Sequence, residues 1–173
     1  MVGHMALVTL PVLDFSEAKA RLSDVMTTVT QQHRPQLVRR HRGKESMVLV
    51  DARDLAGFLT AYRFEPTVVV DAAEFTVELE HLGILGFGTS LDEALSDLVS
   101  ELRAYTHRYF AQPAFYTYTD RRDHWPWLLR FALTEENHQV DLILADIKDT
   151  AERRYRGRQA AQDTAAGVTA TAG

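Results

Sequence analysis

Apolar residues first recur at helical spacing. Phe15, Ala18, Leu22, Val25, Met26 and Val29 make one stripe along a segment that Asp14 opens, with Glu17 three residues on as a capping-box partner. Upstream, residues 6–10 alternate as a strand does, and residues 31–35 break the helical pattern. Leu37-Val38 and residues 47–50 then read as two strands, with Gly43 supplying the turn between them. Asp51 caps a last short helix carrying Leu55, Phe58 and Leu59.

The pattern changes at residues 63–66, where a domain boundary is expected. Residues 67–70 and 75–79 read as strands, and a glycine-punctuated loop follows (HLGILGFGTS). Ser90 and Glu93 form a second capping box at the head of a long helix reaching about Tyr109. Its stripe is Leu91, Ala94, Leu95, Leu98, Leu102, Tyr105 and Tyr109, and Pro113 stops it. Residues 115–119 predict a further strand. Residues 120–149 are ambiguous: Trp127, Leu128 and Phe131 fit a helix, while 140–144 fits either type. Beyond Thr150 large apolar residues run out (AAQDTAAGVTATAG), so burial cannot offset ordering entropy and disorder is expected. The chain has no internal repeat.

Charge changes this picture more than composition does. The 173 residues include no cysteine, which removes disulfides, thiolate catalysis and Cys-based metal sites. No window approaches the roughly 18 consecutive apolar residues of a membrane span, and no signal peptide is read, so a cytoplasmic location is expected. No structural weight rests on the opening MVGHM. The net charge of −5 conceals an asymmetry. Residues 1–64 hold nine Lys and Arg against six Asp and Glu, residues 65–150 hold six against sixteen, and residues 151–173 hold four against two. A basic front on an acidic middle suits a first part that meets an anion.

The sharpest local signal is the basic hairpin. Between His33 and Lys44 lie Arg34, Arg39, Arg40, Arg42 and Lys44, two histidines and no acid. A two-stranded ribbon can enter a groove of B-DNA, arginine can chelate phosphate oxygens and guanine edges, and each phosphate contact adds affinity by counterion release. Charge alone leaves a solvated basic turn equally open. The ordered set Ser16-Glu17-Ala18-Lys19, Leu22, Pro35, Arg39-Arg40, Gly43, residues 47–50 and Asp51 resembles the DNA-binding module of the Phd/YefM antitoxins over residues 7–62. That resemblance implies an α+β dimer on a palindromic operator, with Lys19 and Arg40 on DNA and Arg39 and Arg42 beside them; the basic hairpin adds Lys44 to the expected DNA contacts. Unlike that family, which usually ends in a short segment that wraps the toxin, this chain continues into something folded.

The continuation, FTVELEHLGILGFGTSLDEALSDLVSELRAY, is similar to the HicB-type partial RNase H domain. The matching positions are residues 75–79, Gly83, Gly86, Gly88 and Ser90-Leu91-Asp92-Glu93-Ala94-Leu95. This second resemblance implies a small antiparallel sheet with a packed helix, used in toxin binding and assembly. RNase H chemistry would need several carboxylates converging on two metal ions. Asp71, Glu74, Glu78 and Glu80 are available, but carboxylates on one strand face more often line the solvated side of a half-buried sheet. GILGFGTS lacks the lysine of a P-loop and the spacing of a dinucleotide fingerprint. The histidines have no helical metal-ligand spacing. Trp125-Pro126-Trp127 could anchor a partner or fill the core, and Arg153, Arg154, Arg156 and Arg158 could meet an anion or end a solvated helix.

The expectation is therefore an α+β protein in three parts: a Phd/YefM-like module over 1–64 (strand, helix, β-hairpin, helix), a HicB-like domain over 65–150 and a disordered tail over 151–173. It would be a non-enzymatic antitoxin of a type II toxin-antitoxin system, without cofactor or metal. It would repress its own operator DNA as a homodimer or higher oligomer, since about 60 residues with two short helices bury little core alone. It would neutralise a toxin by direct binding. Two other readings are an orphan transcriptional regulator and a metal-dependent nuclease acting through the second domain.

Overall fold

The computed structural model describes residues 10–170, with the backbone alone at Thr117, Arg154, Tyr155 and from 157 onward. It is α+β and divides into two compact units, Met1–Phe58 and Leu59–Gly173.

In the first unit, strand β1 (Val12–Asp14) leads into helices α1 (Phe15–Ala20) and α2 (Leu22–Gln31), then β2 (Gln36–Arg40), β3 (Glu45–Leu49) and α3 (Ala52–Phe58). The sheet order is β1-β2-β3, with β1 parallel and β3 antiparallel to β2. Of the strand expected over 6–10, residues 6–9 lie outside the described residues, and the described pairing starts at Val12. The single helix expected from Asp14 is interrupted at Arg21 (φ −119°, ψ 32°), whose guanidinium bridges Glu17 and Asp24. Asp14 does cap α1, accepting from the Ser16 amide at 2.9 Å. Glu17 turns forward to Arg21 and so leaves the capping box half formed. Of the predicted stripe, Ala18, Val25 and Val29 are buried, whereas Phe15, Leu22 and Met26 stay exposed. Three short strands are too narrow to cover a whole helical stripe.

In the second unit, β4 (Thr67–Asp71), β5 (Glu74–Leu79) and β6 (Ile84–Gly88) form an antiparallel meander. Helices α4 (Leu91–Ala111), α5 (Pro113–Thr117), α6 (Trp125–Ala132) and α7 (Gln139–Ala170) follow. The core joins Val77 and Leu79 of β5 to Leu95, Leu98 and Leu102 of α4, Leu128 and Phe131 of α6 and Ile143 of α7. Ser90 caps α4 by accepting from the Glu93 amide, while the Glu93 carboxylate returns to the Thr89 amide and hydroxyl. Those hydrogen bonds hold the Glu93 carboxyl below its ordinary pKa.

Four expectations are corrected here. The glycine-punctuated loop contains strand β6. Its glycines permit close helix packing, since a Cβ on Gly86 would lie 2.3 Å from the Ala94 carbonyl oxygen and 2.4 Å from the Leu98 nitrogen. The strand expected over 115–119 is helix α5 and a turn, because Tyr116 buries its ring by stacking on Tyr109 of α4, centroids 4.7 Å apart. The boundary between units falls after Phe58, not after residue 64, since Phe64 is fully buried in the second core. Residues 151–170, expected to be disordered, continue α7 as helical backbone. Alanine, frequent in this stretch, is the strongest helix former.

Candidate nucleic-acid interface

The β2–β3 hairpin follows from its sequence. Antiparallel register pairs Val38 with Met47, Arg39 with Ser46 and Arg40 with Glu45. The connecting turn, residues 41–43, places His41 (φ 50°), Arg42 (φ 56°) and Gly43 (φ 83°) in the left-handed region. Only glycine adopts that conformation without steric cost, so the tip carries strain at two side-chain-bearing residues.

Alternation sends Arg39 and Arg40 to opposite faces of β2. Arg40 lies on the Val38 side, its guanidinium 5.8 Å from the Phe15 ring centroid and paired with Glu45. Arg39, Arg42 and Lys44 on the hairpin and Lys19 on α1 are exposed and have no acidic partner among the described residues. Arg40 is thus the one predicted contact already engaged within the unit. On the outer face of the sheet, register aligns Val12, Leu37 and Val48 across the three strands, with Val12 and Val48 exposed and Leu37 half-buried between them.

A second cluster of this unit was not anticipated. His33 (φ 51°), on the link between α2 and β2, places Nδ1 2.9 and 3.1 Å from the two Asp54 carboxylate oxygens. Asp51 caps α3, accepting from the Arg53 amide at 2.8 Å and its guanidinium at 3.2 Å. Those bonds hold the Asp51 carboxyl below the usual carboxylate range. Ligand atoms of His33, Asp51 and Asp54 lie within 4.8 Å of one another, close enough to hold a cation. The hydrogen bonds already present account for the geometry without one. The positive φ of a histidine has no reliable signal in sequence, so the cluster was not legible there.

The second unit has its own set of polar anchors at residues 62–64. Arg130 makes a bidentate pair with Asp146 (2.5 and 3.0 Å), both nearly buried, and also donates to the Tyr62 carbonyl at 3.1 Å. Asp146 accepts the Phe64 amide at 2.8 Å, and Trp127 Nε1 donates to the Arg63 carbonyl at 2.9 Å. Trp127 is therefore a core contributor, while Trp125 is exposed. Asp149 pairs with both Arg63 and Arg153, and Arg156 with Glu152. The side chains of Arg154 and Arg158 lie outside the described residues.

Two histidines meet in this unit. Tyr105 Oη lies 2.8 Å from His124 Nδ1, and the His81 ring lies tilted against Trp127, centroids 5.1 Å apart. Burial pushes both imidazoles below their ordinary pKa, with mutual repulsion adding to the effect at His81 and Arg121 adding to it at His124. Among the described residues, Asp71, Glu74, Glu78 and Glu80 do not converge into a group able to hold a metal ion. Among the described residues, no helix is long and apolar enough to cross a membrane.

Comparison with known proteins agrees with this architecture. A solved structure from Syntrophomonas wolfei subsp. wolfei, described as the antitoxin part of a proposed toxin/antitoxin system, superposes with a TM-score of 0.68 at 15% identity. The match covers 77% of this chain and 96% of that one. At that identity the likeness concerns the fold. No curated protein matches the sequence. The PHD_like family model, described as antitoxin of toxin-antitoxin, RelE / RelB, TA system, matches residues 9–146 and so spans both units. The chain belongs to the PHD_like family of antitoxins of RelE/RelB toxin-antitoxin systems.

Proposed function

We propose that the first unit binds operator DNA as a homodimer and represses its own transcription, and that the acidic second unit neutralises the toxin by direct contact. The observation that carries the DNA reading is the hairpin. Arg39, Arg42 and Lys44 are exposed and unpaired at its tip, and Lys19 on α1 shares that freedom. Free cations cost no broken ion pair when they meet phosphate, whereas Arg40 must first leave Glu45. Dimerisation is supported by the apolar surface the first unit leaves open: Val12 and Val48 on the sheet, Leu22 and Met26 on α2. A palindromic operator then follows from two-fold symmetry.

The toxin reading draws on charge. Residues 65–150 hold sixteen Asp and Glu against six Lys and Arg, which suits a basic, RNA-directed toxin surface. A non-enzymatic role accords with both halves. Binding to a labelled duplex of the upstream region, followed by fluorescence anisotropy over a salt series, tests the first half. The Arg39→Ala/Arg42→Ala variant should weaken binding at least tenfold and flatten the salt slope by about 0.9 per lost phosphate contact. Arg40→Ala should cost less. Equal binding by all three proteins would remove DNA from the hairpin.

A further inference from the structure

The two free edges of the second unit's sheet are treated differently. At β6, helix α4 packs over the strand, and Asp97 on that helix accepts the Phe87 amide at 3.0 Å. That contact fills part of the outward row of main-chain groups. At β4 nothing comparable occurs: the strand pairs only with β5, and no side chain or loop among the described residues hydrogen-bonds its outer main chain. All five of its residues, Thr67, Val68, Val69, Val70 and Asp71, are exposed. Natural sheets protect such edges with lysine, proline, a bulge or a cover, because an unpaired strand is a template for another. Inside β4 there is no lysine, proline or glycine.

We infer that β4 is an interface for a second copy of this chain, joining two three-stranded sheets into one six-stranded sheet by antiparallel β4–β4 pairing centred on Val69. The sequence of the strand is self-complementary in that register. Val69 faces Val69, Val68 faces Val70 and Thr67 faces Asp71, so all five residues pair, valine meets only valine, and no like charges oppose. A shift of the centre to Val70 would set Val69 against Asp71 and leave Thr67 and Val68 without partners in the strand; a centre at Val68 would do the same to Val70 and Asp71. Both faces of the strand benefit, since Val68 and Val70 lie on the α4 side of the sheet with Val77, and Val69 lies on the outer side with Thr76. The closed two-fold arrangement consumes both edges and cannot propagate into a fibre. It uses none of the residues of the first unit's apolar surface.

The absence of cysteine makes a register test clean. In the full chain, Val69→Cys would set two Cα atoms about 4.5–5.5 Å apart across the two-fold axis, within the range a disulfide spans. Thr67→Cys in the same register would leave the two cysteine Cα atoms about 14 Å apart, out of reach. Mild oxidation should therefore convert Val69→Cys, and not Thr67→Cys, to a covalent dimer on a non-reducing gel. Independently, Val69→Lys places two ammonium groups face to face and should halve the mass measured by light scattering. If Val69→Cys stays uncrosslinked, if both cysteine variants crosslink alike, or if Val69→Lys keeps the wild-type mass, the β4 pairing is wrong. A toxin strand occupying this edge instead would give the first and third of those results.

Discussion

Arg42 shows what a single residue costs and supplies. It sits at φ 56°, where an L side chain crowds its own backbone, while Gly43 beside it takes φ 83° without penalty. A left-handed residue costs roughly 1–2 kcal/mol, and glycine at such a site recovers part of that after its larger unfolded-state entropy is counted. Arg42→Gly should accordingly raise stability by about 0.5 kcal/mol in urea unfolding while weakening operator binding. A loss of stability would mean that the Arg42 side chain holds the turn, and would remove the argument that strain is kept there for binding. The sequence displayed Gly43 as the turn and Arg42 as a cation. It could not display the positive φ, which depends on how the β2–β3 register closes.

At the scale of elements, the recurring lesson concerns what holds short pieces in place. Residues 63–66 read as a domain boundary. In the folded unit the main chain of residues 62–64 is held by Arg130 from α6, Asp146 from α7 and Trp127 from α6. Asp146→Ala would leave Arg130 as a nearly buried cation without its partner, and the Phe64 amide without an acceptor. Breaking such a pair from one side typically costs about 3–5 kcal/mol. A chemical-denaturation series should show a loss in that range for the second unit, and a loss below about 1 kcal/mol would show that the pair is dispensable. Arg130 and Asp146 are sixteen positions apart, on two helices in a region that read ambiguously, so no spacing rule linked them. By contrast, the β2–β3 hairpin and helix α4 were legible, because each carries its turn or cap beside a clear apolar period.

For the whole molecule, acid is the natural probe. His81 and His124 are pushed below the ordinary histidine pKa of 6.5, chiefly by burial, so folding favours their neutral forms. The unfolded chain takes up protons first as the pH falls, so this stability is present above pH 6.5 and is lost below it, down through the lowered folded values. Asp51 and Glu93 are also lowered, from 3.8 and 4.5, so their contribution persists through that window and is lost only in stronger acid. Thermal unfolding should thus show a first decline below pH 6.5 that the His81→Asn/His124→Gln variant lacks, and a second, more acidic decline that it keeps. A first decline unchanged in the variant would place the acid sensitivity elsewhere. By itself the sequence determined the α+β class, the basic front and acidic middle, the ribbon and the capped α4, because periodicity, caps and charge are local properties of a chain. Only tertiary structure decided that β6 is a strand, that Phe64 belongs to the second unit and that Arg40 is engaged while Arg39 is free. It also decided that, among the described residues, β4 pairs on one side only. Each of these depends on which neighbour, distant in sequence, occupies the adjoining space, and local pattern carries no record of that.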